Sequence, residues 1–470
     1  MSYNLEAVIA PKSVAVVGAS RDPAKIGHTI LRNFVDGGFA GKVFPVNPKA
    51  DELLGLRCYA SVGEIEEKVD CAVIAVPAQA VPGVLRECGE KGVGGAIVIS
   101  GGFSEIGNTK GEEEIASIAK EYGLAVIGPN CLGVLNPATR FDCIFLPLFK
   151  MGRPPVGDIG FMSQSGAVGS CIVDLAAHYH IGISKFISYG NAAVIDEADL
   201  LRYFAEDPQT RIIVAYIEGV RRGKEFFAAL KEVAKQKPTI FLKAGVSRRG
   251  AEATLSHTGS LAGSAEAYRA VFRQAKAIEA HTLMELFYFA KVFDQPFPKG
   301  RRVGVITNGG GYAVLAADAI EEFHLELAEL SEATKNALRP HLPPYVNLKN
   351  PLDLAGDADA ERYRVAIEAF MADDNIDILV ITVLFQTVSI DSRVVNVITK
   401  AADERKKPII VVSTGGEYTE LHRRILESYH IPTYHSPTAA MKAAEKLADF
   451  AELKRKLGGS SPKETFERSF

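Results

Sequence analysis

Residues 162–174 read MSQSGAVGSCIVD, and residues 306–318 read ITNGGGYAVLAAD. In both stretches an apolar run passes through a small polar turn into a helical pattern, and matching positions lie 144 residues apart. Residues 235–245 (KQKPTIFLKAG) and 405–415 (RKKPIIVVSTG) form a second matching pair in the same order. Because the same order of features recurs with an insertion between them, we predict two related, doubly wound α/β domains that arose by duplication.

The segment before the first copy also alternates strand and helix patterns. Short runs rich in Val and Ile, closed by Gly, Ser or Pro, are typical of parallel strands buried on both faces, and they lie at 13–19, 71–77, 95–100 and 124–128. We therefore predict an α/β chain in which an N-terminal domain of alternating strands and helices precedes the two doubly wound domains. The predicted bounds are 1–130 for the first domain, 131–157 for a connector that packs on both neighbours, 158–293 for the second domain, 294–302 for a linker, 303–453 for the third domain and 454–470 for a polar tail.

Composition excludes several classes of protein. The 470 residues carry 53 Lys and Arg against 57 Asp and Glu, a net charge of −4, which argues against a non-specific nucleic-acid binder. No apolar run reaches the roughly 18 residues that a membrane span needs, and the N-terminus lacks the pattern of a secretory signal. None of the six cysteines forms a C-x-x-C pair, so a zinc ribbon is not expected. We expect a cytoplasmic protein that binds neither nucleic acid nor membrane.

A glycine-containing turn after the first strand predicts a phosphate-bearing ligand. Gly18 ends the strand and Gly27 follows at the start of a helix, where backbone N–H groups can approach a phosphate. The G-x-G-x-x-G pattern of NAD sites is absent. The next strand ends in Asn47 and Lys49 rather than in an acidic residue, which suits a ligand with an additional ribose phosphate, such as coenzyme A or NADP.

Small residues also follow the other strands of this first domain. In open α/β sheets, ligands bind at the carboxyl ends of the strands. The residues expected to line this edge are Val76, Pro77, Ser100, Gly101 and Asn130.

A single histidine lies in a loop rich in Gly and Ser, at Ser256-His257-Thr258-Gly259. No second histidine or carboxylate cluster lies at ligand spacing, so no metal site is expected on this chain. On such a loop His257 could be a general base or a nucleophile that carries a phosphoryl group. Glu218, at the end of the strand 211–219, could accept the ring N–H and so fix the tautomer.

The two duplicated turns supply the second part of this predicted site. Each leaves free N–H groups at a helix start, and two such termini facing one point would bind a phosphate or a phosphohistidine. The first turn begins at Ser163 and the second at Thr307. The predicted phosphate-binding residues are Ser163, Gln164, Ser165, Gly166, Asn308, Gly309, Gly310 and Gly311.

Together, these loops resemble those of the alpha subunits of nucleoside-diphosphate-forming acyl-CoA synthetases, most closely the ADP-forming acetyl-CoA synthetases, which are relatives of succinyl-CoA synthetase. The resemblance covers almost the whole chain. It implies a Rossmann-like, CoA-binding first domain followed by two flavodoxin-like domains. It also implies transient phosphorylation of His257 with Glu218 holding its ring, and Asn130 near the thioester. It also implies that coenzyme A is held by the edge of the first domain, at Gly18, Ala19, Ser20, Lys25, Gly27, Asn47, Lys49, Val76, Pro77, Ser100 and Gly101.

The resemblance further implies a partner. Single-chain members of this family carry an ATP-grasp nucleotide domain, and the predicted domains leave no segment for one. We therefore expect ATP or ADP, with magnesium, to bind an ATP-grasp beta subunit in an α2β2 heterotetramer. The expected substrates are phosphate, coenzyme A and a small carboxylic acid or its thioester. Two alternatives stay open from the residues: a non-catalytic CoA-binding regulator, and an NADP-dependent oxidoreductase, which Asn47 and Lys49 alone support.

Overall fold

The computed structural model describes residues 3–250 and 264–458. The chain divides into two compact units, Met1–Leu283 and Met284–Phe470. His257 falls between the two described ranges and so lies outside the described residues. Within the described ranges, no helix has an apolar stretch long enough to cross a bilayer.

The first sheet of the first unit has five parallel strands in the order 2-1-3-4-5. Its first strand is buried at every position, as the Val-rich runs predict for a sheet covered on both faces. The strands are Ser13–Val17, Lys42–Val46, Cys71–Ile74, Gly95–Val98 and Ala125–Ile127, and the helices are Glu6–Ile9, Ile26–Asp36, Val81–Lys91 and Thr109–Tyr122. A small hairpin pairs Glu52–Leu53 with Leu56–Arg57.

The second sheet repeats the order 2-1-3-4-5 in five parallel strands. These strands are Val156–Ser163, Ile183–Ser188, Ile212–Ile217, Thr239–Lys243 and Ile278–Ala280. The described helices around them are Gly166–His178, Glu197–Glu206, Gly223–Val233 and Ala265–Ala275.

The segment predicted as a connector contributes two strands to this second sheet. Gly133–Asn136 pairs antiparallel with Ile183–Ser188, and Phe141–Asp142 pairs antiparallel with Gly133–Asn136. These strands are not predicted from the sequence, because they are short and Pro137 interrupts the apolar pattern between them. The segment also contacts the first sheet's elements, since the Asn136 side chain donates to the Ile9 carbonyl at 3.1 Å.

The second unit contains a third sheet with the same 2-1-3-4-5 order, and the short strand Leu352–Asp353 pairs beside its first strand. The five strands in the main path are Arg302–Thr307, Glu326–Leu327, Ile378–Thr382, Ile409–Val412 and Thr433–Tyr434. The described helices are Leu283–Val292, Gly310–Glu322, Glu332–Leu338, Ala360–Ala372, Arg393–Asp403, Glu417–Ser428 and Pro437–Lys456. All three sheets therefore share one strand order, and the duplication of the second and third domains stays a prediction.

The helix Leu283–Val292 packs within the second unit. The Tyr434 hydroxyl donates to the Tyr288 carbonyl at 2.8 Å, and Lys442 pairs with Glu285 at 2.6 Å. This helix falls at the end of the second domain as predicted from the sequence, whereas these contacts group it with the residues that follow.

Candidate functional site

The first glycine turn brings the end of a strand against the start of a helix. Gly18 has a φ of +90°, and a Cβ there would lie 2.5 Å from the Ala75 carbonyl oxygen. A Cβ on Gly27 would lie 2.0 Å from the carbonyl oxygen of Gly18. Only glycine fits at either position, so the turn can approach the helix Ile26–Asp36 closely enough to present backbone N–H groups.

Asn47 joins the ends of the first two strands at this turn. Its side-chain NH₂ donates to the Ala19 carbonyl at 2.7 Å, and its side-chain oxygen accepts the Lys49 N–H at 2.8 Å. Ser20 faces the same turn and accepts the Asp22 N–H at 3.1 Å through its hydroxyl. Lys25 is exposed at the N-cap of the helix.

The remaining strand ends of the first domain also meet. The Ser100 hydroxyl donates to the Val76 carbonyl at 2.5 Å, and the Asn130 N–H donates to the Ser100 carbonyl at 2.9 Å. A Cβ on Gly101 would lie 3.2 Å from Oδ1 of Asn130, so these two residues are neighbours. Pro77 precedes the 3₁₀ turn Ala78–Ala80 on the same edge. The structure thus gathers the predicted ligand edge at one end of the sheet.

The turn at Ser163 lies beside this edge. The strand ends at Ser163, and Ser165 is the N-cap of the helix Gly166–His178, with its hydroxyl accepting the Val168 N–H at 3.3 Å. A Cβ on Gly166 would lie 3.4 Å from Cβ of Leu132, two residues after Asn130. The predicted phosphate-binding turn and the predicted thioester residue are therefore close neighbours within the first unit.

Gln164 connects this turn to Glu218. Its side-chain oxygen accepts the N–H groups of Glu218 at 2.6 Å and Gly219 at 3.0 Å. Glu218 is buried, and its Oε1 accepts the Tyr216 hydroxyl at 3.4 Å. Lys243 donates to the Glu218 carbonyl at 2.8 Å, and burial lowers the pKa of its ammonium although Glu218 opposes that shift. The side chain of Gln164 therefore holds the backbone at Glu218, the residue predicted to orient the histidine ring.

The turn at Thr307 has the same construction in the second unit. Gly309 is the N-cap of the helix Gly310–Glu322, and within the described part of the chain no side chain caps that terminus. Asn308, the counterpart of Gln164, accepts the Leu384 N–H at 2.9 Å and the Tyr363 hydroxyl at 3.0 Å. In both copies a side-chain amide thus ties the first turn to the end of the third strand of its domain.

No atom of the described residues lies within 4 Å of a Cβ placed on Gly311, so with respect to those residues the second turn is open at the start of its helix. A Cβ on Gly310 would lie 3.0 Å from a carboxylate oxygen of Asp353. The side chain of Asn308 is already hydrogen-bonded to Leu384 and Tyr363. A phosphate at this turn would therefore be bound by the backbone N–H groups. The phosphate-binding role of both turns stays a prediction.

Three family models match successive parts of the chain. A CoA binding domain matches residues 12–137, a succinyl-CoA ligase like flavodoxin domain matches 156–293, and a ligase-CoA domain matches 303–451. The alpha subunit of acetate–CoA ligase (ADP-forming) I from Pyrococcus furiosus is 41% identical over 464 residues, which cover 96% of this chain and 99% of that subunit. The chain belongs to the ADP-forming acetate–CoA ligase family. The resemblance that the loops indicate is confirmed.

Other members of this ligase family show the same relationship. Acetate–CoA ligase (ADP-forming) I from Archaeoglobus fulgidus is 42% identical over 96% of this chain, which spans only 64% of that longer protein. Acetyl-coenzyme A synthetase 1 from Candidatus Korarchaeum cryptofilum, solved with phosphate and ADP, superposes with a TM-score of 0.91 at 38% identity and covers 97% of this chain and 98% of its own. The predicted α/β architecture is therefore confirmed.

One polar cluster in this ligase chain is missed by the sequence analysis. Asn191, just after the strand Ile183–Ser188, donates to Glu105 at 2.7 Å and to Glu112 at 3.1 Å, and accepts from Asn130 at 3.2 Å. Arg221 pairs with Glu112 at 2.5 Å. The only local signal is an asparagine at a strand end, whereas its partners lie 61 to 86 residues away in sequence.

Proposed function

We propose that this chain is the alpha-type half of an ADP-forming acyl-CoA synthetase. It would interconvert acetyl-CoA or a similar thioester, ADP and phosphate with the free acid, ATP and coenzyme A. The observation that carries the proposal is the contact of Gln164 with the N–H groups of Glu218 and Gly219. That contact joins a helix N-terminus suited to phosphate to a buried carboxylate suited to a histidine ring, beside Asn130 of the CoA-type domain.

The first step would be thiolysis by phosphate at the edge of the first domain. A phosphate oxygen attacks the thioester carbonyl, the C–S bond breaks, and coenzyme A leaves as its thiol with the proton that phosphate releases. The N–H groups after Ser163 would neutralise charge on the phosphate in place, so that positioning and electrostatics supply most of the rate enhancement. The product is an acyl phosphate.

The second and third steps would pass through His257. One ring nitrogen, with the other held by the Glu218 carboxylate, attacks phosphorus, and the P–O bond to the acyl group breaks to release the carboxylate. An oxygen of the terminal phosphate of ADP then attacks the phosphohistidine, and the P–N bond breaks to give ATP. All three donors are high-energy compounds, so each transfer can be nearly reversible.

We propose that the nucleotide, with magnesium, binds a separate ATP-grasp beta subunit in an α2β2 assembly. The support is the near-complete match to a relative named as an alpha subunit. The helix terminus at Ser165 and the helix terminus at Gly309 would each offer backbone N–H groups to a phosphoryl group. Coenzyme A would lie on the edge formed by Gly18, Asn47 and Ser100.

The test is transfer of label from phosphate to the protein. The chain is incubated with acetyl-CoA and radiolabelled phosphate, and a label that is acid-labile and base-stable is expected on the wild type and absent from His257→Asn. Addition of the beta subunit and ADP should move the label into ATP. A wild-type chain that takes no label from acetyl-CoA and phosphate or from ATP would be the result expected of a non-catalytic CoA-binding regulator.

A further inference from the structure

The Asn191 side chain uses all of its hydrogen-bonding groups on three side chains of the first domain. Its NH₂ group donates to Oε2 of Glu105 at 2.7 Å and to Oε2 of Glu112 at 3.1 Å, and its oxygen accepts from Nδ2 of Asn130 at 3.2 Å. Two carboxylates can only accept, so the NH₂ must face them. Only a side-chain amide offers two donors and an acceptor in this geometry.

The two carboxylates lead to different parts of the predicted site. Glu105 accepts the N–H groups of Gly102 and Phe103, in the loop that follows Ser100 and Gly101. Desolvation by burial opposes its ionisation, but the hydrogen bonds from Gly102 and Asn191 outweigh that cost and lower the pKa of Glu105. The charged Glu105 therefore fixes the loop beside Asn130.

Glu112 leads toward Glu218. It is buried and pairs with Arg221, which lies three residues after Glu218. The neighbouring Arg222 pairs with Asp196 at 2.5 Å and Asp199 at 2.6 Å. Gln164 thus holds the segment of Glu218 at one end, and the ion pairs of the two arginines hold it at the other. The ion pair of Arg221 is made with Glu112, which Asn191 also contacts.

The backbone brings Asn191 to Asn130 as well. The Asn191 N–H donates to the Pro129 carbonyl at 3.0 Å, and a Cβ on Gly190 would lie 2.3 Å from the Asn130 carbonyl oxygen. Asn130 itself has an exposed side chain and a φ of +58°. Asn191 thus meets Asn130 through the neighbouring backbone and through the 3.2 Å hydrogen bond between the two side chains.

We propose that Asn191 is a positioning residue for the thioester step, which orients Asn130 and the Gly101–Phe103 loop against the phosphate-binding turn. This inference rests on the proposed function. It predicts that loss of Asn191 impairs reactions that use coenzyme A or its thioester. Phosphorylation of His257 by ATP on the partner subunit does not use this edge and should be spared.

The test compares the two directions of labelling in Asn191→Leu and Asn191→Asp. Leu removes the hydrogen bonds at nearly constant volume, and Asp places a third carboxylate beside Glu105 and Glu112. With acetyl-CoA and labelled phosphate, we expect kcat/KM for histidine labelling to fall at least about tenfold, with a raised KM for acetyl-CoA. With labelled ATP and the beta subunit, we expect the rate to stay within about twofold of wild type.

Asn33→Leu is the matched control. Asn33 is also a buried amide that bridges two segments of the first unit, donating to the carbonyls of Ile144 at 2.6 Å and Leu146 at 3.1 Å. Its substitution should lower thermal stability without separating the two labelling rates. Calorimetric titration with coenzyme A provides a readout without turnover, in which the Asn191 variants should bind more weakly than Asn33→Leu.

The outcomes separate the two proposals. Equal losses in both labelling directions, or unchanged labelling and CoA affinity in folded Asn191 variants, would overturn the positioning role while the proposed function stands. If both variants fail to fold, Asn191→Ser takes their place in the same measurements. A wild type that accepts label from neither donor overturns the proposed function, and this inference with it.

Discussion

Gly27 allows the close backbone approach in the turn that is predicted to bind coenzyme A, because it has no Cβ. Because a Cβ there would lie 2.0 Å from a backbone oxygen that cannot move without the whole turn, Gly27→Ala must displace Gly18 or the helix start. We expect this substitution to weaken coenzyme A binding by tenfold or more and to destabilise the fold. Isothermal titration with coenzyme A and thermal unfolding measure the two effects.

Gly83 provides the control in the same domain. It lies in the helix Val81–Lys91, and no atom of residues 3–250 or 264–458 is within 4 Å of a Cβ placed there. Gly83→Ala should therefore raise stability by up to about 1 kcal/mol through helix propensity, with unchanged CoA affinity. If Gly27→Ala bound coenzyme A as tightly as Gly83→Ala does, the turn would not be the binding element.

The ionisation of Glu197 should make the free energy of unfolding depend on pH. It is the first residue of the helix Glu197–Glu206 and is almost fully buried, and among the described residues its Oε2 has no hydrogen-bond partner. Burial raises its pKa from 4.5 to about 7. Between these values the folded chain keeps a proton that the unfolded chain has lost, so the contribution of Glu197 to stability falls as pH rises through this window.

Glu197→Gln removes that ionisation. We expect the variant to be more stable than wild type at pH 8, by on the order of 2–3 kcal/mol, and to lose this advantage near pH 4.5. Thermal unfolding at several pH values measures the difference, with the exposed Glu206→Gln at the other end of the helix as control. A difference between Glu197→Gln and wild type that does not change with pH would contradict the assignment.

At the scale of elements, most strand ends, turns and helix starts can be predicted from local sequence patterns. A strand end, a small turn and a helix start follow one another within a few residues at 16–18, 163–166 and 307–311. Periodicity and glycine spacing therefore suffice to find these three turns. Glu218 was found in the same way, from its position at a strand end.

The sequence does not predict contacts between elements that are far apart along the chain. The pairing of Arg221 with Glu112 spans 109 residues, and a lone asparagine such as Asn191 has no spacing that marks its partners. The strands Gly133–Asn136 and Phe141–Asp142 were missed because four and two residues are too few to display a period. Their pairing is decided by the edge of the second sheet, which only the tertiary structure presents.

Lys185 shows such a contact holding two elements together. On the strand Ile183–Ser188, it pairs at 2.6 Å with Asp207, the C-cap of the helix Glu197–Glu206, and both side chains are less than 10% exposed. Lys185→Met leaves a buried carboxylate without its cation, so we expect a loss of about 3–5 kcal/mol. Chemical denaturation measures this loss.

Arg32→Met is the matched control for that substitution. Arg32 pairs with Asp36 at 2.9 Å within one helix, but its side chain is 60% exposed. Loss of an exposed pair should cost about 0.5 kcal/mol or less. Similar destabilisation by both substitutions would mean that burial of the Lys185 pair does not matter.

At the scale of the whole molecule, the division into two compact units predicts where the chain can be cut. The helix Leu283–Val292 contributes Leu286, Phe289 and Val292, each no more than 1% exposed, and Lys291 pairs with Glu427 at 2.8 Å. Burial of three such side chains is worth about 5–9 kcal/mol, which is comparable to the total stability of a domain.

A fragment of residues 281–470 should therefore fold cooperatively, whereas a fragment of residues 296–470 should not. The shorter fragment also loses Gln295, whose side-chain oxygen accepts the Ile409 N–H at 3.0 Å and whose NH₂ donates to the His430 carbonyl at 2.8 Å. Circular dichroism and urea unfolding compare the two. A shorter fragment as stable as the longer one would show that the helix belongs energetically with the preceding domain, as the family-model bounds of 156–293 place it.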